Sequence, residues 1–154
     1  MSLTEKQRAT NDATWRHIWT LQKYLNICIK KLIDRAHAHD QSKLDTPEVE
    51  LFAEHTESLK DLTFGSPEYQ EALDALAPAL DHHYANNSHH PQHFKQGIDD
   101  MTLLDLIEMM CDWKAASLRH SDGNIRKSIE HNGERFGMSP QLIRIFENTI
   151  REFE

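Results

Sequence analysis

Apolar positions recur at three- and four-residue steps along most of the chain, the period of a helix with one face covered. The clearest run follows Asn11 and Asp12, either of which can cap a helix reaching about Ala36. One stripe on it is Trp15, Ile18, Trp19, Leu25, Ile29, Leu32 and Ile33; a second is His17, Leu21, Tyr24 and Cys28. Two stripes predict a helix covered on much of its circumference, hence a central one. The polar residues 1–10 before it are expected to be frayed and flexible.

Proline and glycine punctuate the rest of the chain. His37 to Leu44 reads as a turn or short helix. Thr46-Pro47-Glu48 then opens a helix to about Leu62, with Thr46 as cap, Pro47 in the first turn and Glu48 favoured there by the helix dipole. Its apolar face is Val49, Phe52, Ala53 and Leu59, and His55 among acidic neighbours is expected in solvent. After a break at Thr63-Phe64-Gly65, Ser66-Pro67-Glu68 starts a helix carrying Leu73, Leu76, Leu80 and His83 on one face. Pro78 is expected to kink or split it. On this phase His83 continues the covered face, while His82 points about 100° away. Asn86 to His93 is a loop in which Pro91 holds His90 extended.

Thr102 and Asp105 form a capping-box pattern for a helix to about His120, with Leu104, Ile107, Cys111 and Leu118 as its apolar face. Asp105, Glu108, Asp112 and Arg119 form the neighbouring polar stripe, at a border suited to a polar pocket inside a bundle. A turn at Ser121 to Asn124, a short helix to Asn132 and a connector anchored by Phe136 lead to the last helix, opened by Ser139-Pro140. Its apolar face is Leu142, Ile145, Phe146, Thr149, Ile150 and Phe153.

Composition agrees with an all-α fold. The single valine, Val49, argues against a sheet. The length of 154 residues favours one domain. A net charge of −8 argues against a nucleic-acid duplex as partner. No apolar run is long enough to span a bilayer and no leader is evident, so a soluble cytoplasmic protein is expected, without a membrane partner. Cys28 and Cys111 make no CxxC pair and read as small buried hydrophobes. The aromatic-rich first helix or the amphipathic last one can pair with a copy of itself, giving a homo-oligomer.

The candidate chemistry centres on His39-Asp40-Gln41-Ser42-Lys43. An adjacent imidazole and carboxylate suit a divalent metal, and Lys43 can neutralise a bound anion beside it. Alone the dipeptide is a weak signal. It gains weight from His17 upstream and from His82-His83, His89-His90 and Asp112 downstream. Five histidines fall within residues 82–93, and the choices between His82 and His83 and between His89 and His90 stay open.

The order His17, His39-Asp40, His83, His90, Asp112 resembles that of the HD-domain metal-dependent phosphohydrolase superfamily, a fold of bundled helices with the metal site between them. The chain is also similar to a small family of phage and bacterial proteins that share HDxSK (His39 to Lys43), HHxxxN followed by HHP (His82 to Pro91, with Asn87) and EMxxD (Glu108 to Asp112). The resemblance covers about residues 14–120. It implies one metal on His17, His39, Asp40 and Asp112, a second on His83 and His90, and Asp40 bridging them. Manganese, cobalt, magnesium, zinc and iron all suit such donors.

The activity so implied is hydrolysis of a nucleotide or similar small phosphate ester by a metal-activated water. Lys43 would meet phosphate charge as it builds, Asn87 and Arg119 would hydrogen-bond the substrate, and Glu108 would orient a ligand or accept a proton. The competing expectations are a di-iron oxygenase on the same fold and a non-catalytic, metal-containing module of phage origin that binds a nucleotide or a protein.

Overall fold

The computed structural model describes residues 3–61, 67–119 and 123–153, and among them every regular element is a helix. Six α-helices follow one another: α1 (Glu5–Ala38), α2 (Glu48–Asp61), α3 (Pro67–Asn86), α4 (Leu103–Ser117), α5 (Ile125–Arg135) and α6 (Pro140–Thr149). Short 3-10 turns lie at Gln41–Leu44, Pro91–His93, Gly97–Asp100 and Ile150–Phe153. None of the described helices is long and apolar enough to cross a membrane. The chain forms two compact units, Met1–His37 and Ala38–Glu154.

The first unit is α1. It starts before Asn11, because Thr4 and Gln7 cap it reciprocally: the Gln7 side-chain oxygen accepts the Thr4 N–H at 2.8 Å, and the Thr4 hydroxyl accepts the Gln7 N–H at 3.2 Å. Most of the polar segment 1–10 is therefore helical. The expectation of a largely covered α1 is corrected. None of its residues is buried, and Trp15, Trp19, Leu21, Tyr24, Leu25, Ile29 and Ile33 are all exposed. An apolar stripe says that a helix gains by being covered; it does not say what covers it.

The second unit carries the core. Met109 and Met110 of α4, Ile125 and Ile129 of α5, Met138, and Phe146 and Ile150 at the C-terminal end pack together. Trp113 stacks on Phe136, the residue expected as an anchor, with ring centroids 6.4 Å apart. Asn124 caps α5 by accepting from the N–H groups of Arg126 and Lys127, and Ser139 caps α6 by accepting from Leu142 N–H. Between these helices Gly137 takes φ 63, the left-handed conformation that ends a helix, and Met138 N–H reaches back to the Gly133 carbonyl. Ahead of this core, α2 packs on α3, and both pack on the turn Gln41–Leu44.

Several expectations about faces change. α4 is turned from its expected phase: Asp105, Met109 and Met110 are buried, whereas Leu118 is 72% exposed and Ile107 and Cys111 face outward. Asp105 accepts hydrogen bonds from Ser88 and Thr102, which holds the polar stripe inward. Cys28 is also exposed, so neither cysteine is a buried hydrophobe. Pro78 sits inside one continuous α3 and does not split it. His55 is half-buried rather than free in solvent. α4 ends at Ser117, short of the expected His120. The break at 63–65, the cap Ser66 and the side chains of Leu59 and Leu73 lie outside the described residues.

Candidate metal centre

The second unit begins with a backbone irregularity at the HD pair. Asp40 has φ 55 and ψ 12, a left-handed conformation that few residues other than Gly, Asn and Asp adopt readily. The chain turns there from α1 into the Gln41–Leu44 turn. Lys43, at the end of that turn, bonds Asp40 Oδ2 at 2.7 Å. Asp40 Oδ1 is buried and has no hydrogen-bond partner among the described residues.

Three imidazoles approach this carboxylate. His83 Nε2 lies 3.3 Å and His89 Nε2 3.5 Å from Oδ1, and His39 Nε2 lies 3.6 Å from Oδ2. His90 Nε2 is 2.9 Å from His83 Nε2, and Asp112 Oδ1 is 3.7 Å from His39 Nε2. The donors fall into groups that share members: Asp40, His83, His89 and His90; His39, Asp40 and Asp112; and His39, His89 and Glu108.

Two carboxylates turn the rings. Glu48, fully buried in the first turn of α2, accepts from His82 Nδ1 at 2.7 Å and from His83 Nδ1 at 2.8 Å. Glu108 Oε1 accepts from His39 Nδ1 at 2.9 Å and stands 3.2 Å from His89 Nδ1. A carboxylate can only accept, so each Nδ1 it holds carries a proton, and Nε2 is the nitrogen left to bind a metal once the ring is neutral. In His39, His83 and His89 that Nε2 faces the Asp40 region. His89 Nε2 is buried and, like Asp40 Oδ1, unpartnered. Two such buried atoms are costly unless something satisfies both, and a cation between a lone pair and a carboxylate oxygen does so.

The spacing fits that reading. Donors about 2.1 Å from one ion stand about 3.0 Å apart at a right angle and about 3.4 Å apart at a tetrahedral one. The pairs named above stand 2.9 to 3.7 Å apart, and the donor atoms of each group all lie within 4.8 Å of one another. These residues can hold a metal ion.

Protonation responds to the same crowding. The Asp112 and Glu108 carboxylates beside His39 push it up to about 10, against the effect of burial. Burial, with His89 and His83 alongside, pushes His90 down to about 3. Burial would raise Asp112, but His39 holds it below the usual carboxylate range. Burial would raise Asp40 too, and Lys43 and His39 hold it low.

The loop bearing His89 and His90 is anchored by Asp105. Its Oδ1 accepts from the Ser88 hydroxyl at 2.7 Å, and its Oδ2 takes the Thr102 N–H at 2.8 Å and the Thr102 hydroxyl. Asp105 thus caps α4 and tethers the loop at once.

Of the expected site residues, His39, Asp40, His83, His90 and Asp112 come together. Lys43 stands beside them, and Glu108 is committed to two imidazoles, which makes it a positioning residue. His17 lies in the first unit, exposed on α1, whereas every residue of the three donor groups belongs to the second. Asn87, expected to contact substrate, is buried, and its amide nitrogen bonds Ser42 Oγ and the His83 carbonyl. The choice between His82 and His83 falls to His83, since His82 points its Nδ1 at Glu48 from the rim. The choice between His89 and His90 falls to both, and His89 is the more buried.

Three participants were missed. His89 was written in the sequence as half of a doubled pair. Asp105 reads as a cap and as part of a polar stripe, and neither shows its tether to Ser88. Glu48 carried no signal beyond its place in a first helical turn.

Arg119 and Lys43 line a cavity of about 590 Å³ that shares His83 and His90 with the cluster. Neither the comparison with curated proteins nor that with solved structures gives a match. A family model does match, over residues 6–152, which takes in both the first helix and the whole cluster, and the chain therefore belongs to the DUF5662 family, a family of unknown function.

Proposed function

We propose that this protein is a metal-dependent phosphohydrolase acting on a small phosphate ester. The observation that carries the reading is the pair of buried, unpartnered atoms Asp40 Oδ1 and His89 Nε2, 3.5 Å apart within a set of imidazole and carboxylate donors. The HD-type order of His39-Asp40, His83, His90 and Asp112 supports it.

Asp40 belongs to two of the donor groups, so two divalent ions would be held, one by His39, Asp40 and Asp112 and one by Asp40, His83, His89 and His90. When bound, such ions lower the pKa of a coordinated water towards neutrality and polarise phosphoryl oxygens. The chain does the rest. Glu48 and Glu108 keep the imidazole Nε2 atoms aimed inward, so the rings need little reorientation. Lys43, lining the cavity and already beside Asp40, is placed to meet phosphate oxygens, and Arg119 adds a second positive charge to the lining. Low-pKa His90 stays neutral, the form that binds metal, well into the acid range.

The test is phosphate release from a panel of small phosphate esters by protein stripped of metal and reloaded with manganese, cobalt or magnesium. Turnover that needs the metal and disappears in Asp40→Ala is expected. An inert wild type under every metal overturns the proposal.

A further inference from the structure

We infer that the cavity beside the cluster selects an anion with an apolar organic group of about aryl size, and not a nucleotide. The inference rests on the hydrolase reading only for calling the anionic head a phosphate. Size does not decide the matter, because about 590 Å³ admits either kind of molecule. The lining does.

One wall is hydrocarbon: Val49, Phe52 and Ala53 on one face of α2, with Leu80 and the Tyr84 ring on the facing side of α3. The charged groups are Lys43 and Arg119, which only donate hydrogen bonds. His83 and His90 mark the end where the cavity meets the metal donors. Among the described residues, no carboxylate, amide, serine or threonine lines it.

A purine or pyrimidine with exocyclic N–H groups needs acceptors, and a ribose needs partners for two hydroxyls. Here those groups would lose water and find only carbon, the Tyr84 hydroxyl or cations. A site that leaves polar groups unpaired rejects them, whereas an apolar wall rewards carbon. The anionic head has the opposite fit: two cations, Lys43 and Arg119, line the same cavity as the metal donors His83 and His90.

The test is calorimetry on the whole chain loaded with manganese, with inorganic phosphate, phenylphosphonate and uridine 5′-monophosphate as probes. Phenylphosphonate is expected to bind at least about tenfold more tightly than phosphate, the scale of a modest apolar contact. The nucleotide is expected to bind no more tightly than phosphate. Phe52→Ala, and independently Val49→Ser at a 41% exposed position that tolerates change, should each cut phenylphosphonate affinity and leave phosphate affinity as it was.

Tightest binding of the nucleotide overturns the inference, and so does phenylphosphonate binding no better than phosphate. Hydrolysis of phenyl phosphate is followed separately. A preference for phenylphosphonate with no turnover of any ester sinks the hydrolase reading and leaves the selectivity standing. Efficient turnover of nucleotides with no phenyl preference does the reverse.

Discussion

Single side chains at the cluster do unequal work, and their hydrogen bonds say which. Glu108 touches two imidazoles and lines neither the cavity nor an open face, so Glu108→Gln should weaken manganese binding about 10- to 100-fold without unfolding the chain. Titration calorimetry beside circular dichroism checks it; unchanged affinity would make Glu108 a bystander. The doubled histidines separate in the same way. His83→Ala and His89→Ala should each lower the metal content of purified protein, whereas His82→Ala should leave it near wild type.

His39 gives a pH prediction. Its folded pKa of about 10 stands above the ordinary 6.5, so without metal its charged form stabilises the fold. That contribution is fully present below 6.5 and is lost as pH rises towards 10. In chelator, the Tm should fall across this window, and His39→Gln should flatten the fall. With metal at pH 7, the same proton must leave, so calorimetry in buffers of different ionisation enthalpy should show about one proton released that is absent in the variant.

Helix starts and stops were mostly legible because they depend on two or three neighbouring residues. Thr102 with Asp105, Asn124 and Ser139-Pro140 all cap where their types and spacing say they should. Gly137 is a further local device: at φ 63 an alanine is strained, so Gly137→Ala should cost about 1 kcal/mol. Asn124→Ala removes two accepted N–H bonds and should cost about as much. Urea unfolding measures both, and an unaffected midpoint would count against either.

Faces were less legible than ends. The three- and four-residue period of α4 offers Leu104, Ile107 and Cys111 as one apolar row and Met109, Met110 and Trp113 as another. Hydropathy alone cannot choose between them. Asp105 chose, by bonding Ser88 and Thr102 and so turning its own side inward. α1 shows the same limit, since two apolar stripes raise the value of cover without naming its source.

For the molecule as a whole, a cluster that can hold a metal would couple folding to it. Buried Asp40 Oδ1 and His89 Nε2 lack partners among the described residues, so an ion binding the native state and not the unfolded one should raise stability by about 2.7 kcal/mol at a hundred times its dissociation constant. Thermal scans with manganese and then with chelator should show the Tm rise and return; an indifferent Tm would argue against a bound ion. The sequence alone determined the all-helical class, the helix caps and most of the donor set, because propensity, capping and donor chemistry belong to residue types and short spacings. It also marked His83 over His82, since helical phase is local. Contacts across long stretches of chain decided the rest. They brought His89 in with His90, gave Glu48 and Glu108 their grip on imidazole Nδ1 atoms, and closed an apolar wall beside the cations. These depend on how one helix lies against another, and no short spacing encodes that.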